Sequence, residues 1–300
     1  MDEPSHRDSL LPTLAAALVG VQVGAATVAS RFVIGETDPV MLGVMRYAIG
    51  VACLAPFVVR AGWPRFAGRD LAPMAVLGIV QFAVLIVLFN IALLHSPAAR
   101  VALVFSAFPL LTMLFAAALG REALTLAKAT GVVLTIAGVG LALGEKSFGG
   151  ATSQVWIGDA AAFGAAICGA LCSVLYRPYL TRYPALAVSA FAMLASVAAL
   201  ALLAAISGSL LAPSRLSAAG LAAVVFIGIS SGGGFFALLW AYARTSPTRV
   251  AIFQPLAPVT AAVLGWLFLS ETVSSTFLYG LTLVAAGIAV AHWPASPKPQ

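Results

Sequence analysis

The sequence predicts an all-α integral membrane protein of ten transmembrane helices, and three observations carry the prediction. Of 300 residues, 62% are hydrophobic and only 9% charged, at a mean hydropathy of +1.05, whereas a soluble domain carries roughly 25% charged residues. The apolar residues gather into runs of about 20, enough at 1.5 Å per residue to cross roughly 30 Å of hydrocarbon. The third observation is an internal echo: "HSPAARVALVFSAFP", His95 to Pro109, returns as "TSPTRVAIFQPLAP", Thr245 to Pro258, almost half the chain later. Helices are the reading for such runs because a lipid-exposed backbone must satisfy its own hydrogen bonds.

The runs lie at Leu11 to Val33, Pro39 to Val59, Leu71 to Leu94, Pro97 to Leu119, Leu124 to Leu143, Trp156 to Tyr176, Ala185 to Ser207, Leu216 to Ala243, Val250 to Leu269 and Thr276 to His292. The first follows "MDEPSHRDS", an acidic leader with no small-residue cleavage site after it, so it reads as a helix and not as a signal peptide. The net charge of +6 is a matter of topology. With the N-terminus inside, the cytoplasmic segments hold Arg7, Arg60, Arg65, Arg69, Arg121, Lys128, Arg177, Arg182, Arg244, Arg249 and Lys298, against Arg31, Arg100, Lys146 and Arg215 outside. That asymmetry predicts that both termini are cytoplasmic and argues against a nucleic-acid partner. Cys53, Cys168 and Cys172 all lie in apolar runs, where they read as small packing residues.

The echo extends into an alignment of Pro109 with Pro258, Glu122 with Glu271, Gly131 with Gly280 and Gly138 with Gly287. More weakly, Arg31 and Pro39 align with Arg177 and Pro184, and Gly78 with Gly228. The chain divides accordingly into a leader (1–10), a first five-helix unit (11–144), a periplasmic linker (145–155), a second unit (156–292) and a cytoplasmic tail (293–300). Five is odd, so the second unit enters the membrane upside down. Such inverted repeats surround a central cavity and can open it to one side and then the other. Pro109 and Pro258 then fall inside helices four and nine and free the carbonyls of Phe105 and Gln254, and Pro255 frees that of Ala251. These prolines are either gating breaks or bends for packing.

"DPVMLGVMRYAIG", Asp38 to Gly50, together with the twice-used Ser-Pro, mid-helix Pro, terminal Glu and paired Gly, resembles the drug/metabolite transporter superfamily, in particular its EamA-type ten-helix exporters. The resemblance covers nearly the whole chain. It implies a basket of helices one to four and six to nine around the cavity, with helices five and ten outside. Members move amino acids, nucleotide sugars, purines and drugs, and the YddG-type aromatic amino-acid exporters are similar in length and organisation.

Candidate substrate-binding residues are the polar and aromatic groups within the runs. Arg46 lies roughly 10 Å past Pro39, at a depth where a charge tends to face a cavity or a partner. It is read as a carboxylate-binding fork, as a clamp on helix-end carbonyls or as a side chain snorkelling to the outer interface, and its repeat mate is Phe191. The amides Gln22, Gln81, Asn90 and Gln254 either meet substrate or bond neighbouring helices. Trp240, Tyr242 and Tyr47 suit a cavity wall, as does Trp266, while Tyr176 and Tyr179 beside Arg177 read as an interfacial belt. His95, at the outer end of helix three, is either interfacial or proton-linked. "GISSG", Gly228 to Gly232, fits the nucleophile-elbow pattern, yet like "GVQVG" and "GLALG" it reads as helix packing.

No phosphate-binding loop and no metal-ligand spacing occurs, so no catalytic residue, metal or cofactor is expected. The expectation is a bacterial inner-membrane exporter, monomer or weak dimer among lipids. Its cargo is a small metabolite, an amino acid with aromatic ones favoured. The alternatives are a drug, purine or nucleotide-sugar exporter, and, from a different class, a membrane enzyme acting on a lipid-linked substrate.

Overall fold

The computed structural model describes residues 6–121, 125–147, 153–210, 216–242, 253 and 255–291, without the side chains of 6–10, 12–13, 143–147, 153–154, 235–236 and 238–242. Helices and their connections make up these residues, and no strand occurs among them. In chain order they are α1 (His6–Val33), α2 (Pro39–Ala61), α3 (Gly68–His95), α4 (Ala98–Ala118), α5 (Leu126–Ser147), α6 (Ser153–Leu175), α7 (Ala185–Ile206), α8 (Ala218–Tyr242), α9 (Leu256–Leu269) and α10 (Ser275–Ala291). A single helical turn, Arg177–Leu180, follows α6. By length and composition, α1 to α4, α6 and α7 are apolar enough to cross a membrane, while Leu126–Ala142, Ala218–Gly234, Leu256–Leu269 and Ser275–Ala291 form shorter apolar helices.

Local chemistry sets the helix ends. Asp38 caps α2 by accepting from Val40 N at 2.8 Å and Met41 N at 3.3 Å, with Pro39 in the first turn, where its missing N–H leaves nothing unpaired. Ser217 and Ser274 do the same for α8 and α10, accepting from Gly220 N at 2.9 Å and Phe277 N at 3.1 Å. Two helices depart from regularity. A π-helical stretch, Ile79–Val84, interrupts α3, and α4 breaks at Ser106 and Ala107 between Ala98–Phe105 and Phe108–Ala118. Pro109 therefore stands in the first turn of a new segment and not inside a continuous helix. In α9 the helix starts at Leu256, so Pro255 is its N-cap and Pro258 belongs to its first turn.

The packing repeats itself when every helix is advanced by five. As α1 packs on α8 and α9, so α6 packs on α3 and α4; as α2 packs on α8, so α7 packs on α3; and α2 with α7, α4 with α9 and α5 with α10 pair across the two halves. The α5–α10 seam gives the direction. A Cβ on Gly131 would stand 2.5 Å from Gly287 O, and one on Gly138 would stand 2.6 Å from Gly280 O, so one helix ascends as the other descends. Only glycine permits that approach. By contrast Gly20 meets Phe253 and Leu256 while Gly24 meets Ala257 and Thr260, so α1 and α9 run parallel.

The core follows the seams between helices, with Leu93, Leu103, Val101, Leu200 and Ile288 at most 1% exposed. Outward faces are apolar too: Val59, Ile206 and Phe268 are 80%, 76% and 74% exposed. Water penalises such a surface and hydrocarbon does not.

Candidate functional site

Part-buried polar contacts join α2 to α8 and α1 to α8. Gly228 and Gly232 set the first distance: a Cβ on Gly232 would lie 2.7 Å from Gly50 O, and one on Gly228 2.5 Å from Ile49 Cβ. "GISSG" is thus a packing stripe, as is "GVQVG", whereas Gly140 of "GLALG" faces open space. The close approach lets the half-buried Arg46 donate through Nε to Ser231 Oγ at 2.7 Å, and Ser231 Oγ donates in turn to Ile227 O at 2.8 Å. One position earlier on α8, the carbonyl of Ser230 accepts from Gln22 Nε2 at 2.8 Å. Two side chains from α1 and α2 therefore converge on the same turn of α8.

Aromatic groups line the same region. The Arg46 guanidinium carbon lies 5.8 Å from the ring centroid of Tyr47. Tyr47 is buried and meets Phe82 of the π-helical stretch edge-on at 5.4 Å. Farther along α3, Phe89 meets Phe105 at 5.3 Å, and Phe105 stacks with Phe108 at 5.8 Å across the break in α4. Gln81 sits within the π-helical stretch with its Oε1 buried and unpaired. Asn90 is fully buried and donates through Nδ2 to Pro39 O at 2.8 Å, which ties α3 to the start of α2, while its Oδ1 has no partner.

Ion pairs concentrate at the helix ends. Glu271, just past α9, accepts from Ala98 N at 3.2 and 3.0 Å through its two oxygens and pairs with Arg31 Nε at 3.4 Å. Arg31 also donates through Nη1 to Leu93 O at 2.6 Å, so one cluster joins the ends of α1, α3, α4 and α9. Ser270, at φ 54°, turns the chain back to place Glu271 there. Arg100 and Asp159 form a buried forked pair at 2.8 and 2.6 Å, and Arg100 Nη1 donates to Ala142 O at 2.9 Å. At the opposite ends of the helices Asp70 is buried, accepting from Tyr183 OH at 2.8 Å and pairing with Arg182 at 3.4 Å. Arg121 Nη1 donates to Val174 O. From sequence Arg31, Arg100, Arg121 and Arg182 read only as topology markers, and no spacing signal pairs them with their partners.

Of the residues singled out from sequence, Arg46 and Gln22 meet on α8, and the ring of Tyr47 lies beside Arg46 while packing on Phe82 of α3. Asn90 stands apart as a helix–helix bond, and His95 is half-buried in the last turn of α3. Gln254 and Glu122 lie outside the described residues, as do the side chains of Trp240 and Tyr242 on α8. Tyr176 departs from the expected interfacial belt: it is buried in a cluster with Met74, Cys172 and Val188, because the turn after α6 folds it inward. Trp266 is 62% exposed on the outer face of α9 and lines no cavity wall there.

Known proteins agree with this architecture. The chain matches the EamA-like transporter family at residues 10–144 and again at 156–293. It is 28% identical over 250 residues to a protein of Streptantibioticus cattleyicolor named "Probable terminal-alkyne amino-acid exporter", covering 82% of each chain. It is also 24% identical over 274 residues to an "Uncharacterized transporter" of Archaeoglobus fulgidus, covering 88% of this chain and 92% of that one. A solved crystal structure superposes with a TM-score of 0.67 at 26% identity, over 96% of this chain and 97% of its own. With both halves matched, the chain belongs to the EamA-like transporter family of the drug/metabolite transporter superfamily, and is a multi-pass membrane transporter and not an enzyme.

Proposed function

We propose that the protein exports a small metabolite, an amino acid with aromatic ones favoured, across the bacterial inner membrane by alternating access. In this reading all ten helices span, both termini are cytoplasmic, and two inverted five-helix units enclose the transport path. The observation that carries it is the exchange of packing partners on advancing each helix by five, with α5 antiparallel to α10. Two halves so related can trade conformations, closing one end of the path as the other opens. The amino-acid exporter from Streptantibioticus cattleyicolor supports the substrate class. Arg46 and Gln22, both bonded to α8, with the Tyr47 ring next to Arg46, offer a charge, an amide and a ring, and Gln81, Asn90, Gln254, Trp240 and Tyr242 remain candidates along the path. Pro109, Pro255 and Pro258 mark the breaks about which α4 and α9 would flex.

The test is efflux from proteoliposomes loaded with a mixture of amino acids, a purine, a nucleotide sugar and a cationic drug. Radiolabelled Phe, Trp or Thr should leave at rates that saturate. If these stay inside while the nucleotide sugar or the drug escapes, the amino-acid assignment is wrong. If nothing leaves, the exporter reading fails.

A further inference from the structure

Three arginines at helix ends spend their guanidinium groups on backbone carbonyls and carboxylates. Arg31 holds Leu93 O and Glu271, Arg100 holds Ala142 O and Asp159, and Arg121 holds Val174 O. Each fastens one helix to another. Arg46 is used differently. Only its Nε is engaged, by the neutral hydroxyl of Ser231, and its two Nη amino groups have no partner among the described residues. Nor does any carboxylate there come within ion-pair distance of it. A cation set roughly 10 Å down a membrane helix is costly unless water or an anion solvates it. A clamp would have used the Nη donors, and a snorkelling side chain would not be held sideways by a neighbouring helix.

Ser231 explains the orientation. Its proton goes to Ile227 O, so toward Arg46 it acts purely as an acceptor, fixed on the α8 backbone. With Nε anchored, the guanidinium presents its end-on edge, whose paired N–H groups match the two oxygens of a carboxylate. The ring of Tyr47, edge-on to Phe82, lies 5.8 Å from the guanidinium carbon. We propose that Arg46, held by Ser231, forms a subsite for the carboxylate of a small substrate, with Ser231 as its positioning residue. The assignment rests on the transport reading above and narrows it to carboxylate-bearing cargo.

The test uses proteoliposomes loaded with radiolabelled phenylalanine, challenged with phenethylamine, the same molecule without its carboxylate. Arg46→Gln should raise the apparent KM for phenylalanine tenfold or more. Ser231→Ala removes the Nε acceptor and should raise it roughly three- to tenfold with Vmax unchanged, while Ser231→Thr, which keeps the hydroxyl, should restore it. Inhibition by phenethylamine should be the same in all variants. Each variant is compared at equal reconstituted amount after gel filtration, and Arg46→Lys, which keeps the charge but not the fork, stands in if Arg46→Gln does not fold. A raised KM for Arg46→Gln with an unchanged one for Ser231→Ala overturns the positioning role and leaves the transport reading intact. An unchanged KM for the Arg46 variant, or an equal shift in phenethylamine inhibition, overturns the subsite. No phenylalanine efflux from the parent chain overturns the transport reading and the subsite with it.

Discussion

Arg100 and Asp159 lie 59 residues apart in the chain yet share a buried forked bond. Removing one partner leaves the other charged and buried, which costs about 3–5 kcal/mol, whereas replacing both with apolar groups of similar size is near neutral. Asp159→Ala should therefore lower the thermal transition of the detergent-solubilised protein by several degrees, and Arg100→Leu combined with Asp159→Leu should recover most of the loss. A single variant as stable as the parent would show the pair to be idle. Sequence alone could not join them, because hydropathy reports depth and not contact. Arg46 was legible for the opposite reason: a lone charge inside an apolar run declares itself, although its Ser231 partner was hidden within a glycine packing stripe.

At the scale of helices, the apolar runs marked where each described helix lies, because burial in hydrocarbon and burial in the bundle demand the same side chains. Periodicity carries no information on backbone hydrogen-bond register, and so the π-helical stretch Ile79–Val84 and the break at Ser106 and Ala107 went unread. Glycine pairs are the most consequential contacts between helices. Any side chain at Gly287 would meet Gly131 O at 2.6 Å and Thr135 Oγ1 at 2.4 Å. Gly287→Leu should force α10 off α5 and destabilise the protein by about 1–3 kcal/mol, read as a lowered thermal transition. The Glu271 cluster is the corresponding polar seam, fastening the start of α4 to the ends of α1 and α9. Glu271→Gln keeps a weaker acceptor but loses the charge. It should raise thiol-labelling of a cysteine placed at Ser96, which is 2% exposed in the parent, and unchanged labelling would show that the cluster does not govern that end.

For the whole molecule, we propose from the distribution of arginine and lysine and the oddness of five that the two halves lie head to tail, which reporters can check. A reporter fused after Gly149 should read out on the external face and one fused after Gln300 on the cytoplasmic face; agreement between them would undo the inverted arrangement. The seam between α5 and α10 carries a further implication for biogenesis. If all ten helices span as proposed, α5 enters the bilayer well before α10 is made, and the groove at Gly131 and Gly138 stays uncovered by its partner until α10 leaves the ribosome. A nascent polypeptide halted after α9 would display that bare groove as a mark of incompleteness to membrane proteases.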